Sequence, residues 1–148
     1  MPSAHASVAE SEIRQWLDQW QKAFHEKNLD AIMSLYASGN ELVVFDIVPP
    51  LQYIGADAYR KDYKEFLAQY DGPVDVEFRD THIVAGDDIA IVYSLEKLSG
   101  TIRGQKSEIW TRVTSGFRKI DGKWLDVHDH VSVPVDLETG KAELELKP

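Results

Sequence analysis

The stretch that decides the fold is Trp110–Pro134, WTRVTSGFRKIDGKWLDVHDHVSVP. Two segments rich in β-branched and aromatic residues flank Asp121-Gly122. Asp-Gly in that setting is a strong signal for a two-residue hairpin turn, because both turn positions need φ > 0. The spacing predicts a long antiparallel hairpin with Trp124 opposite Lys119, His128 opposite Ser115 and His130 opposite Val113. Alternation then places Trp124, Asp126, His128, His130 and Ser132 on one face, and Leu125, Val127, Asp129, Val131 and Val133 on the other. The second set is an apolar face interrupted by one carboxylate, as expected of a core-facing strand that lines a pocket. Gly116 qualifies this register. A glycine inside a strand often marks a bulge, which would reverse the facing of Trp110, Arg112 and Thr114.

Upstream of the hairpin the periodicity is helical. Ser7-Val8-Ala9-Glu10 fits a capping box, so a helix is expected to start there. Ile13, Trp16, Leu17, Trp20 and Phe24 follow at helical spacing and define an aromatic stripe. A shorter second helix is expected from Leu29 to Ala37, stopped by Ser38-Gly39-Asn40, and a strand from Leu42 to Asp46, broken by Pro49-Pro50. After Gly55 a third helix places Tyr59, Tyr63, Phe66, Leu67 and Tyr70 on one side. From Val74 onward two-residue alternation takes over, turning at Gly86-Asp87-Asp88. The order is three helices and then sheet: an α+β domain over residues 1–135. The charged tail 136–148, in which Ala142, Leu144 and Leu146 alternate weakly, reads as a loose edge strand or a disordered segment.

Composition sets the outer limits. The 148 residues are 43% hydrophobic, enough for one core, and no apolar run approaches the roughly 20 residues that span a bilayer. The absence of cysteine removes disulfides, thiol nucleophiles and cysteine-ligated metals together. A net charge of -9 argues against a nucleic-acid or anionic-membrane partner, since both need clustered cations. Met1-Pro2-Ser3-Ala4-His5 lacks the basic start and apolar run of a secretory signal, which predicts a cytoplasmic protein.

The string GKWLDVHDHVSVP, preceded by W-T-R-V-T, resembles the end of a SnoaL-like domain of the nuclear transport factor 2-like superfamily, which includes ketosteroid isomerase. Its closest local resemblance is to the association (hub) domain of calcium/calmodulin-dependent protein kinase, which ends in a similar Gly-Lys-Trp, His-x-His, Ser and Pro sequence and has a hairpin like Gly86-Asp87-Asp88. The resemblance implies a cone: a curved antiparallel sheet wrapped around three N-terminal helices, with a pocket at the open end.

Within that frame the candidates for chemistry can be ranked. The base aspartate of ketosteroid isomerase falls at Val44 or, with a two-residue insertion, at Asp46. A carboxylate at the mouth of an aromatic cavity is disfavoured in its charged form, which suits proton abstraction from carbon. Asp129 on the hairpin is the second candidate base. The isomerase's oxyanion-hole tyrosine falls on Trp20 and its aspartate at Thr114 or Ser115, so steroid isomerisation by that pair is not expected. Tyr36, Tyr59 and Tyr63 can donate hydrogen bonds to a ligand or serve as core tyrosines with satisfied hydroxyls. The arginines that line the hub pocket match Glu96, Ser115 and Val131, which leaves Arg112 as a single cation, either in the pocket beside Trp110 and Thr114 or paired across strands with Glu96 or Glu108. His128 and His130 point to one face, but a metal would need a further ligand such as Asp126 or His82, and no metal is expected.

These readings combine into one expectation. The chain binds a small organic molecule in an apolar pocket without a cofactor, using Asp46 or Asp129 as base in an isomerase, cyclase or dehydratase type of reaction. The alternative is a non-catalytic ligand-binding and oligomerisation module like the hub. A homodimer or larger assembly is expected through the outer sheet face around Trp124, His128 and His130, with Val113 and Phe117.

Overall fold

The aromatic stripe forms one face of α1 (Ala4–His25), followed by α2 (Leu29–Met33), a 3-10 turn (Gly39–Glu41), β1 (Val43–Phe45), β2 (Tyr53–Ile54) and α3 (Ala56–Leu67). The sheet-forming half follows as β3 (Asp75–Ala85), β4 (Ile89–Ile102), β5 (Gln105–Ile120) and β6 (Lys123–Ser132), then a small ribbon of β7 (Val135–Asp136) and β8 (Lys141–Ala142). The computed structural model describes residues 4–148. Helix α1 begins at Ala4, about one turn before the expected capping box, and the side chain of Ser7 lies outside the described residues. Helix α2 is shorter than its periodicity suggests. Asn28 caps its start through a bond from the Ala31 N–H to Oδ1 at 3.1 Å. Its end is set from outside: the Asp126 N–H donates to Leu35 O at 3.1 Å and the Ala37 N–H donates to Asp126 O at 2.8 Å, drawing residues 35–37 into pairing with β6.

The main sheet has the order β2-β1-β6-β5-β4-β3. It is antiparallel except that β1 runs parallel to β6, with Val44 beside Asp129. The Asp121-Gly122 turn has φ of 51° and 78° and joins Ile120 directly to Lys123, as the sequence predicts. Trp124 pairs with Lys119 as expected, but the register then slips: Phe117 faces Asp126 while Gly116 faces His128. The extra residue is Val127, on β6 rather than on β5 where the glycine sits. The N–H of His128, at this bulge, is taken up by Asp126 Oδ1 at 2.9 Å.

The bulge corrects the expected faces. Trp124 and Asp126 point into the molecule, not outward, and beyond the bulge Asp129 and Val133 are also buried. Trp124 is 5% exposed and donates its indole N–H to Glu12 at 2.9 Å. Phe117, 1% exposed, packs edge-on against Trp16 at 4.7 Å, so neither residue belongs to an outer patch. The outer face instead carries Ile54, Phe45, His128, His130, Ile91, Tyr93 and Val84 in adjacent register positions. His128 Nδ1 bonds to Val43 O at 2.6 Å, and His82 stacks on Tyr93 at 4.9 Å. Asp126, the suggested third metal ligand, is on the opposite face from His128.

The helices close the concave side. Trp16 donates its N–H to Leu35 O at 2.9 Å, and Trp20 stacks on Phe24 at 4.8 Å. Gly100 in β4 faces the ring of Tyr70: a Cβ there would stand 2.7 Å from Tyr70 Cδ1, so only glycine lets β4 approach the end of α3. The tail forms the β7–β8 ribbon apart from the main sheet rather than an added edge strand. Among the described residues no helix is long and apolar enough to cross a membrane.

Because Phe117 and Trp16 join the hairpin to α1, Phe117→Ala should lower the unfolding free energy by about 3–5 kcal/mol, the usual cost of emptying a buried aromatic position. Urea denaturation measures it. A loss below about 1 kcal/mol would show that this contact is not part of the core.

Candidate functional site

Between the helices and the concave face of the sheet lies a cavity of about 390 Å³, within the size range of small-molecule sites. Three parts of the chain build its floor. The bulge turns Asp129 inward from β6, α3 places Tyr59 and Tyr63 one turn apart, and the pairing of residues 35–37 with Asp126 holds Tyr36 against them. Asp129 is 4% exposed. Its Oδ1 accepts from Ser115 Oγ at 2.8 Å, and its Oδ2 accepts from Tyr36 at 2.9 Å and Tyr59 at 3.2 Å. Behind them, Trp20 Nε1 donates to the Tyr63 oxygen at 3.1 Å, and the Tyr63 and Tyr36 hydroxyls are 2.5 Å apart. Since the Tyr36 proton is directed to Asp129, the consistent order is Trp20 to Tyr63 to Tyr36 to Asp129. Donors thus converge on one carboxylate. Burial, with the charge of Asp129 close by, pushes the hydroxyls of all three tyrosines well above their ordinary pKa, so they remain proton donors.

At the mouth, Asp46 and Asp62 meet. Asp62 accepts from Tyr53 at 3.2 Å, and its pKa is pushed up to about 8, first by burial and then by the hydrogen bond and negative charge of Asp46. On the sheet wall, Glu96 is 7% exposed with its pKa pushed up to about 8, chiefly by burial and then by the charges of Asp129 and Asp46. Beneath the floor, burial and Asp129 raise the fully buried Asp126 well above the ordinary carboxyl range, and its Oδ2 has no hydrogen-bond partner among the described residues. One cavity therefore holds Asp129 as an acceptor of three hydrogen bonds alongside two carboxyls, Asp62 and Glu96, that are largely neutral at pH 7.

Of the residues proposed from sequence, Asp46, Asp129, Trp20, Tyr36, Tyr59 and Tyr63 line the cavity. Trp110, Arg112 and Thr114 do not. They occupy the outer face of β5, where Trp110 lies under Lys97 at 5.7 Å and Arg112 Nε bonds to Ser132 Oγ at 3.1 Å. Their facing is the reverse of the expected one: β5 alternates without a break, so Thr111, Val113, Ser115 and Phe117 point inward, and the bulge that brings Asp129 to the same side lies on β6. Glu96 points inward and Arg112 outward, so the suggested ion pair between them does not form. Sequence reasoning missed Asp62 and the role of Glu96. Asp62 follows Tyr59 by three and precedes Phe66 by four, on the aromatic face of α3, and a carboxylate on such a stripe was the available signal. Glu96 falls in phase with Ala90, Val92 and Ser94, the inward positions of β4. No group of three or more His, Asp or Glu placed to hold a metal occurs among the described residues.

Residues 13–136 match the SnoaL-like domain family. No curated protein matches the chain. A nuclear transport factor 2-like protein of unknown function from Pseudomonas putida KT2440 superposes with a TM-score of 0.87 at 31% identity, covering 97% of this chain and 99% of that one. A candidate calcium/calmodulin-dependent protein kinase II association domain from Xanthomonas campestris gives 0.73 at 23% identity over 91% and 88% of the two chains. A candidate dehydratase of the same superfamily from Streptomyces avermitilis gives 0.78 at 13% identity over 88% and 99%. The last two share the fold.

The buried acid on the wall has a measurable consequence. Between about pH 4.5 and pH 8, Glu96 is neutral in the folded chain and charged in the unfolded one, so unfolding releases its proton and stability falls as pH rises through that window. Glu96→Gln cannot ionise. It should raise the melting temperature at pH 7.5, by roughly 2–4 °C per kcal/mol recovered, and leave it unchanged near pH 4. Calorimetry at the two pH values checks this; a variant no more stable at pH 7.5 would show that Glu96 is not buried as a neutral acid.

Proposed function

Because the chain belongs to the SnoaL-like family of nuclear transport factor 2-like proteins, we propose that it is a cofactor-independent enzyme that moves protons on a small organic substrate, in the isomerase, cyclase or dehydratase range. The observation that carries this reading is Asp129: a carboxylate inside an apolar cavity, bonded to Ser115, Tyr36 and Tyr59. A pure scaffold has no use for a buried carboxylate there, where an apolar side chain would pack at lower cost. In this reading Asp129 accepts a proton from carbon, its oxygens held in place by the three donors, and neutral Asp62 beside Asp46 returns one at the mouth. A carboxyl held by three donors, and a second one whose pKa burial and Asp46 push up to about 8, place a base and an acid in one cavity. The candidate dehydratase from Streptomyces avermitilis, alike in fold, is compatible with such chemistry.

Hydrogen–deuterium exchange in D2O tests this while the substrate is still unidentified. Among ketones that quench the cavity tryptophans, some should exchange their α-hydrogens with the wild-type protein, and Asp129→Asn should slow exchange by roughly 100-fold or more. Exchange should also decline above about pH 8 as Asp62 loses its proton. Bound ketones that never exchange would refute the assignment.

A second copy of the chain is the partner we propose for the outer sheet face. Phe45 packs edge-on to His128 at 4.8 Å and His130 at 5.4 Å, and Ile91 and Tyr93 extend the same exposed surface. Face-to-face packing about a two-fold axis would cover it. Light scattering should show a dimer at pH 7.5, and Ile91→Glu should give a monomer. A wild-type monomer at micromolar concentration would exclude this interface.

A further inference from the structure

The cavity has a charge character that its apolar walls conceal. Five of its lining side chains are carboxyls, Asp46, Asp62, Glu65, Glu96 and Asp129, and none is Lys, Arg or His. Nine are aromatic. The carboxyls do not converge on one point as metal ligands would; they are spread around the wall, mouth and floor. Four of the five have another task or another setting. Asp129 is engaged by Ser115, Tyr36 and Tyr59, Asp46 and Asp62 hold each other at the mouth, and Glu65 is exposed at the rim. Glu96 is different. Only 7% exposed, it faces the cavity between Phe78 on β3 and Thr111 on β5, and its carboxyl has no hydrogen-bond partner among the described residues.

We infer that the cavity takes an organic cation, an ammonium group carried on a hydrocarbon body, with the charge seated against Glu96 and the aromatic walls. Aromatic faces attract cations through their ring quadrupoles, most strongly where water is excluded, and a carboxylate beside them completes the complement. An anion meets five carboxyls and no cation, and a neutral molecule leaves the Glu96 carboxyl to be matched by one acceptor atom alone. The inference rests on the same cavity being the ligand site, as in the function proposed above, but not on turnover. It adds the charge of the substrate. It also implies proton linkage: Glu96, neutral in the empty cavity, ionises when the cation arrives and releases its proton to solvent.

Three probes of similar size decide the matter: benzyltrimethylammonium, its carbon isostere neopentylbenzene, and 3-phenylpropionate. Titration is followed by quenching of the cavity tryptophans Trp16 and Trp20, and by calorimetry in buffers of different ionisation heat. A quaternary cation carries no titratable proton, so any proton released comes from the protein. The cation should bind at least 10-fold more tightly than the isostere, release between half and one proton at pH 7, and leave phenylpropionate the weakest of the three. Glu96→Gln should remove both the cation preference and the proton release while leaving neopentylbenzene unchanged. Preference for the isostere or the carboxylate, or a cation preference that survives in Glu96→Gln, would overturn the inference while leaving the proton-transfer reading in place. Binding of none of the three would overturn both.

Discussion

The structure depends on the bulge at Val127. A regular β6 would send Trp124 and Asp126 to one side of the sheet and Asp129 to the other, because strand side chains alternate. With one extra residue between them, all three point inward. Trp124 thereby anchors α1 through Glu12, and Asp126 supplies the side-chain oxygen that satisfies His128 at the irregularity. Its own backbone binds residues 35–37, which places Tyr36 where it meets Asp129. Core, helix end and site are thus consequences of a single inserted residue.

The cavity is costly in stability. Glu96, Asp62 and Asp126 are all held with raised pKa values by burial, and each would ionise freely in the unfolded chain at neutral pH. Polar groups of this kind persist where they serve something other than folding, since an apolar residue would pack there without the desolvation penalty. Offsetting stability comes from the aromatic layer of α1 and from the long β4–β5–β6 ladders, which also carry Glu96, Asp126 and Asp129. The hairpin that packs on α1 thus also supplies the floor of the cavity, while α3 and the segment before β2 line its mouth.

The chain alone determined the hairpin turn, the order of helices before sheet, and the aromatic stripes of α1 and α3, because these follow from local rules: φ > 0 at Asp-Gly, and spacing of 3.6 or 2 residues. The inward aim of Asp129, and the cavity positions of Tyr36, Tyr59, Tyr63 and Trp20, followed from the same periodicities combined with the family resemblance. The early end of α2 and the facing of Trp124 did not: the first is set by backbone pairing between residues 35–37 and Asp126, some ninety positions apart, and the second by the bulge at Val127. The glycine at 116 signalled an irregularity but not which strand carries it, since a bulge is shared by two strands and only their mutual register decides where the extra residue lies. That register also settled which charged groups face the cavity, putting Glu96 inside and Arg112 outside. Local sequence limits what each segment can form; burial and protonation of a carboxyl depend on what folds over it, and only the assembled sheet and helices decide that.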